Sequence, residues 1–159
     1  MGDQVQTSIT LGPATTRPGQ LHGSGHKIVE VVATGNIPFG VYVPFKVSGE
    51  AAVPGAAGDL SGNYEGGIVA INHTEPSGEG YKAGDVVPVC VFGKITPLSE
   101  GSLALADVIF VRYATGAGGT QNGALRNSAD TATAGSPASP RIKVDTPGAA
   151  GLAIVKIGF

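Results

Sequence analysis

Residues 81–113 most constrain what this chain can fold into. They read YKAGDVVPVCVFGKITPLSEGSLALADVIFVRY and hold two runs dense in β-branched side chains, at 86–96 and 108–113, with a turn-rich bridge between them. A short turn signal ending in aspartate stands before each run, Ala83-Gly84-Asp85 and Leu105-Ala106-Asp107. Aspartate in a turn accepts hydrogen bonds from nearby backbone N–H groups, so the repeat predicts two strands launched by similar turns. The run at 86–92 is apolar at both parities, which predicts a strand covered on both faces. Pro88 inside it predicts a bulge or an edge, because proline has no N–H to give a ladder.

The rest of the chain divides into short runs of the same kind. Strands are predicted at residues 27–33, 41–47, 66–72, 141–144 and 152–159, with Pro44 pushing its strand toward an edge. Residues 114–140 read as one long loop rich in Gly and Ala, with a turn at Asn122-Gly123. Residues 1–26 are polar and punctuated by Gly and Pro. Within them Val5, Ile9 and Leu11 stand at one parity among polar neighbours, as in a short exposed strand. This predicts an N-terminal arm at 1–26, ordered by contact with something else, and a single domain at 27–159. The fold class is mainly β, a small β-barrel or β-sandwich carrying the arm and the long loop. Val89, Val91, Ile109, Val111, Ile154 and Ile157 are the expected core.

Composition bears on function mainly by exclusion. Charged residues make up 14% of the chain, which leaves a surface suited to packing against other protein. Net charge is −2 and no basic cluster exists, so nucleic acid lacks its electrostatic footprint. No window is apolar over a membrane-spanning length, and the first ten residues lack the pattern of a secretory signal. The default expectation is a soluble cytosolic product. Cys90 is the only cysteine and lies between Val89 and Val91, where a thiol behaves as a small hydrophobe.

Chemical motifs fail one by one. Gly78, Gly80 and Ala83 match a loose dinucleotide fingerprint, but a strand follows where a helix is needed. Gly93-Lys94 lacks the rest of a phosphate loop. His22 and His26 are four apart, a spacing that makes a metal face only on a helix, and Gly-Ser-Gly between them denies one. They read as exposed arm histidines, and His73 as a turn histidine. Asn72-His73-Thr74 fits a glycosylation acceptor that has no secretory context. The carboxylates are scattered, and Asp85 and Asp107 are expected in turns. No catalytic residue, metal ligand or cofactor site is predicted.

Residues 105–134, LADVIFVRYATGAGGTQNGALRNSADTATA, resemble the C-terminal part of the structural cement, or capsid decoration, proteins of tailed bacteriophages. That family runs A-G-D-P-V-Y-V-R-Y, then a glycine-rich loop, then G-A-F-R-N-D-A-D-T-A-T-A, and closes near G-G-L-A-V-V. Asp107, Val111-Arg112-Tyr113, Arg126-Asn127, Ala129-Asp130-Thr131-Ala132 and Ala149-Ala150-Gly151-Leu152-Ala153 occupy those places. Residues 81–87 resemble the family's other A-G-D strand start. Ala106 replaces the expected Gly, and Ile109 a frequent Pro. The resemblance runs over residues 66–159 and leaves 1–20 unmatched.

The resemblance implies a virion protein, made in the host bacterial cytoplasm. It would bind the outer surface of the head where major capsid subunits meet and stabilise the expanded shell. It implies the major capsid protein as partner, a homotrimer, and no enzymatic activity, cofactor, nucleic acid or membrane. Val5, Ile9 and Leu11 are the expected capsid or subunit contacts, on the alternation above. The alternative is a β-sandwich carbohydrate-binding module of a virion, which the 6% aromatic content and the lack of Trp disfavour. A hydrolase built on paired carboxylates comes last.

Overall fold

The computed structural model describes residues 17–45, 48–61, 65–71, 79–114, 121–129, 134–135 and 141–158. Its strands are β1 Leu21–Ala33, β2 Ile37–Pro38, β3 Tyr42–Phe45, β4 Glu50–Ala51, β5 Glu65–Val69, β6 Gly80–Tyr81 and β7 Val86–Ile95. They continue as β8 Phe110–Arg112, β9 Leu125–Arg126, β10 Ala134–Gly135, β11 Ile142–Thr146 and β12 Ile154–Ile157, with a 3-10 turn at Ala57–Leu60. The main sheet runs β1-β4-β3-β5-β7-β12-β11, and β1 also pairs with β7. The first five strands in that order therefore close into a barrel, with β4 joining β1 only at Val32 and Ala33. A second sheet, β10-β8-β9, and a β2-β6 pair complete the architecture. The fold is mainly β, with the barrel rather than the sandwich geometry.

The central strand is β7, which pairs with β1 along one side and with β5 and then β12 along the other. Side chains alternate across a strand, and β7 uses both sides. Val87 and Val89 point into the barrel with Val31, Val43, Phe45 and Val69. Cys90 and Ile95 point out, into a second core with Ile68, Ile109, Val111, Leu125, Val144, Val155 and Ile157. The double cover predicted for residues 86–92 holds at Val87, Val89 and Cys90 and fails at both ends, where Val86 and Phe92 are exposed. At Val86 the outward face stands opposite Val32 of β1, itself exposed.

Of the expected core, Val89, Ile109, Val111 and Ile157 are buried. Val91 and Ile154 are only half-buried. In β12 the inward parity belongs to Val155 and Ile157, so Ile154 faces the other way and is corrected. Val91 stands at the margin of the barrel core, two residues before Gly93. Gly93 has φ 125°, and a Cβ there would come within 2.5 Å of the His26 ring, so no other residue fits this bend of the β1–β7 ribbon.

Neither proline sits at a sheet edge. Tyr42 turns its N–H away from β5 and donates to Gly123 O at 2.8 Å; two residues on, Pro44 has its nitrogen on that same side, where no ladder bond is needed. Pro88 lies opposite Ala70. Ala70 N–H donates to Pro88 O at 2.9 Å, and the Ala70 carbonyl, which an ordinary residue at 88 would serve, accepts the Tyr81 hydroxyl at 2.9 Å. A side chain thus replaces the missing backbone donor, and the strand needs no bulge there.

The paired launching turns are real and nearly superposable in their bonding. Asp85 N–H donates to Lys82 O at 3.0 Å and its carboxylate accepts Lys82 N–H at 2.7 Å; Asp107 and Ala104 repeat the same two bonds at 3.0 and 2.7 Å. Each carboxylate reaches three residues back. Gly84 has φ 91°, whereas among the described residues no non-glycine has positive φ, so the second turn takes Ala106 without strain.

Two boundaries shift. Residues 21–26, read as arm, belong to β1. The stretch 114–140, read as loop, contributes β9 and β10, which flank β8. The turn at Asn122-Gly123 leads into β9, with Gly123 at φ 87°.

Candidate functional site

Polar chemistry concentrates where β8, β9 and the loop after β7 meet. Gly123 N–H donates to Arg112 O at 2.8 Å and Arg112 N–H to Ala124 O at 3.0 Å, which holds the hairpin closed. Gly123, just before β9, docks on the barrel, its carbonyl accepting Tyr42 N–H at 2.8 Å. Glu100 is set beside the hairpin by its N–H, which donates to Leu125 O at 2.9 Å.

Arg112 is 5% exposed, and a buried guanidinium requires a partner. Its Nε donates to Glu100 Oε1 and its Nη2 to Glu100 Oε2 at 2.9 Å, a two-pronged grip. Its Nη1 donates to Ala114 O at 3.2 Å. Arg126, from the neighbouring strand, brings Nη1 to 3.7 Å from the same Oε2 and donates from Nη2 to Ser128 Oγ at 3.1 Å. Asn127 Nδ2 donates to Ser102 O at 3.2 Å, and Asn122 Nδ2 to Tyr113 O at 3.1 Å. The sequence motif residues Arg112, Tyr113, Arg126 and Asn127 thus come together as fasteners between β8, β9 and the loop at 99–103. Glu100, which both arginines share, was not singled out from sequence. The signal was available: a strand arginine flanked by Val111 and Tyr113 needs a carboxylate somewhere.

The remaining candidates resolve into structural roles. His22 is a half-buried strand residue, not an exposed arm residue. Its Nε2 lies 2.7 Å from the buried Thr96 Oγ1, and His26 Nε2 lies 3.0 Å from His22 O. Burial, with the neighbouring His26, holds the His22 imidazole below its usual pKa. Burial pushes the Cys90 thiol up to about 11, which leaves it uncharged and unreactive as a nucleophile. Asp59 accepts the N–H groups of Gly55 and Ala56 at 2.9 and 3.0 Å. Asp145 pairs with Lys94 at 2.8 Å, and that ammonium lowers its pKa. Among the described residues no three His, Cys, Asp or Glu side chains gather as metal ligands, and no helix is long and apolar enough to cross a membrane. His73 lies outside the described residues.

The outer face of the β1–β7 ribbon is apolar and open. Ile28, Val32 and Val86 are 37%, 45% and 55% exposed, with Glu30 and Pro88 paired between them. Leu105, Val108 and Leu152 are further exposed apolar side chains. Val5, Ile9 and Leu11, the expected contacts, lie outside the described residues.

Fasteners inside and open apolar strips outside define a β-barrel module built to hold loops rigid and present a surface. Residues 5–158 match the family described as structural cement protein (E217 gp24/Pam3 gp6). The chain belongs to this family of phage structural cement proteins. The match begins at residue 5, so it takes in Val5, Ile9 and Leu11 and extends well beyond the residues whose motifs carried the resemblance. The fold is similar to that of a chain in the capsid of Myoviridae phage XM1. The TM-score is 0.68 at 17% identity, covering 98% of this chain and 96% of that one. No curated protein matches the sequence.

Proposed function

We propose that this chain is a non-enzymatic cement protein that binds the outer surface of an icosahedral phage head where major capsid subunits meet. There it stabilises the expanded shell. One observation carries the reading: the family match over residues 5–158. The fold shared with a chain from the capsid of phage XM1 supports it. The carbohydrate-binding alternative is not favoured by either finding.

Physically the role needs a rigid scaffold and a weakly charged contact surface repeated in many copies. The two cores and the Arg112–Glu100–Arg126 fastener supply rigidity. Modest binding at each site then adds up over a lattice. The functional unit is a homotrimer, with residues 1–20 serving attachment or linkage through Val5, Ile9 and Leu11. It is made in the host cytoplasm and ends on the virion, with no nucleic acid or membrane partner.

The test is heat release of DNA from expanded heads stripped of the protein, with and without the purified chain added back. Release at a higher temperature is expected when the chain is present. Unchanged release, with the chain left in the supernatant when heads are pelleted, contradicts the reading.

A further inference from the structure

One barrel strand has an unfinished edge. β1 pairs with β7 along one side from Leu21 to Val32. On its other side β4 meets it only at Val32 and Ala33. Val32 N–H donates toward that second side, to Gly49 O at 2.8 Å. Backbone groups alternate along a strand, so Ile28 and Glu30 direct their N–H and C=O groups to the same side, where no described strand pairs with them. Four backbone groups in a row form a template for another strand.

The inner face shows the same gap. Val29 shares the inward parity of Val31 and packs against the barrel core, yet Val31 and Val89 are 3% and 0% exposed while Val29 is only half-buried. An added strand with an apolar inner side and a polar outer side would finish both. Residues 5–11 come near that pattern: Val5, Ile9 and Leu11 stand at one parity with Thr7 among them, and Gln6, Ser8 and Thr10 at the other.

The path of the chain indicates whose edge is filled. Arg17 to Gln20 forms a turn closed by Gln20 N–H on Arg17 O at 3.0 Å. Gly19 N–H donates to Thr96 O at 2.7 Å, Gly19 O accepts Ile71 N–H at 2.9 Å, and Gln20 O accepts Thr96 N–H at 2.9 Å. Thr96 directly follows β7. The chain is thus fastened on the β7 side of β1, opposite the free edge, and would have to cross over β1 to reach its own. Residues 12–16, the link between such a strand and Arg17, span about 17 Å when extended, so the copy that receives the strand stands directly beside the one that gives it.

We propose that residues 5–11 of one copy add as a strand to the free edge of β1, at residues 27–31, of a second copy, with Val5, Ile9 and Leu11 turned inward over Val29. Main-chain bonds to Ile28 and Glu30 supply the affinity. The contact joins two different surfaces, so it closes into a ring only where the rotation between copies returns to the start, as in the homotrimer proposed above. This rests on the reading above that the chain works as an assembled cement protein.

The test uses the full-length chain with two cysteines, Ser8→Cys and Ile28→Cys, both on the outer face in the proposed pairing, bridged by a short bis-maleimide, in solution and on expanded heads. Buried Cys90 stays unmodified in both single-cysteine controls. Covalent dimers and trimers from the double variant, absent from the controls, are expected. Cross-linking confined to one chain, or none in either setting, overturns the proposal. A second variant guards against misplaced cysteines. Glu30→Pro removes one of the outward N–H groups and should abolish the inter-chain products in a chain carrying both cysteines, while Glu30→Ala preserves them. Products that survive Glu30→Pro, in a protein that melts normally, also overturn it. Heads that bind the chain without inter-chain products sink this inference alone; inter-chain products from a chain that binds no heads sink the cement reading instead.

Discussion

Tyr81 is what lets Pro88 sit in the most heavily paired strand of the barrel. Its hydroxyl serves the Ala70 carbonyl that proline cannot. Tyr81→Phe should cost about 1–3 kcal/mol, the scale of a buried acceptor left unmade, read from urea unfolding. In a Pro88→Ala background the restored N–H should shrink that cost; an unchanged cost would mean that the hydroxyl does not stand in for the amide. Arg112 is a second such point. Arg112→Ala leaves Glu100 without its two-pronged partner and should cost about 3–5 kcal/mol, whereas Arg126→Ala, whose guanidinium stands 3.7 Å off, should cost well under half of that. His22 carries a pH dependence. Its pKa is lowered in the fold, so its contribution is present above the unfolded value of about 6.5 and is lost as pH falls through the lower folded value. His22→Gln should therefore lose less stability than the parent between about pH 7.5 and 5; equal losses would assign the slope to other groups.

The elements were legible in proportion to their length. The runs at 27–33, 86–96 and 108–113 announced β1, β7 and β8 because a dense run of β-branched residues bounded by turn signals reads as a strand. β9 and β10 are two residues each, too short to alternate, and exist because β8 offers them edges. Ile154 was placed on the wrong side because parity in β12 is set by the second core, which is assembled from β8, β9 and β11 and is invisible to a local window. Glu100 was missed for the same reason, since its partners are 12 and 26 residues away. The turns at Asp85 and Asp107 were readable because their bonds are local. Val111, at 0% exposure in the second core, tests the face assignment. Val111→Asp places an unpaired carboxylate there and should cost about 3 kcal/mol or more, enough to leave much of the protein unfolded or insoluble at 37 °C. A soluble Val111→Asp protein with an unaltered melting curve would show that β8 faces the other way.

As a whole molecule the chain invests its polar side chains in holding loops and leaves apolar strips open, and this is the pattern expected of a part made for assembly. The family could be read from the segment 105–134, because those residues must fasten β8 to β9 whatever the rest of the chain does. The amino-terminal residues carried no recognisable motif, yet the family match takes them in from residue 5. The most direct measurement is a cryo-electron microscopy reconstruction of expanded heads incubated with the purified full-length chain. The account predicts barrel-shaped density on the outer surface at the junctions between major capsid subunits, grouped in threes. Heads whose outer surface carries no added density at saturating chain, or density confined to the tail or portal, would contradict it.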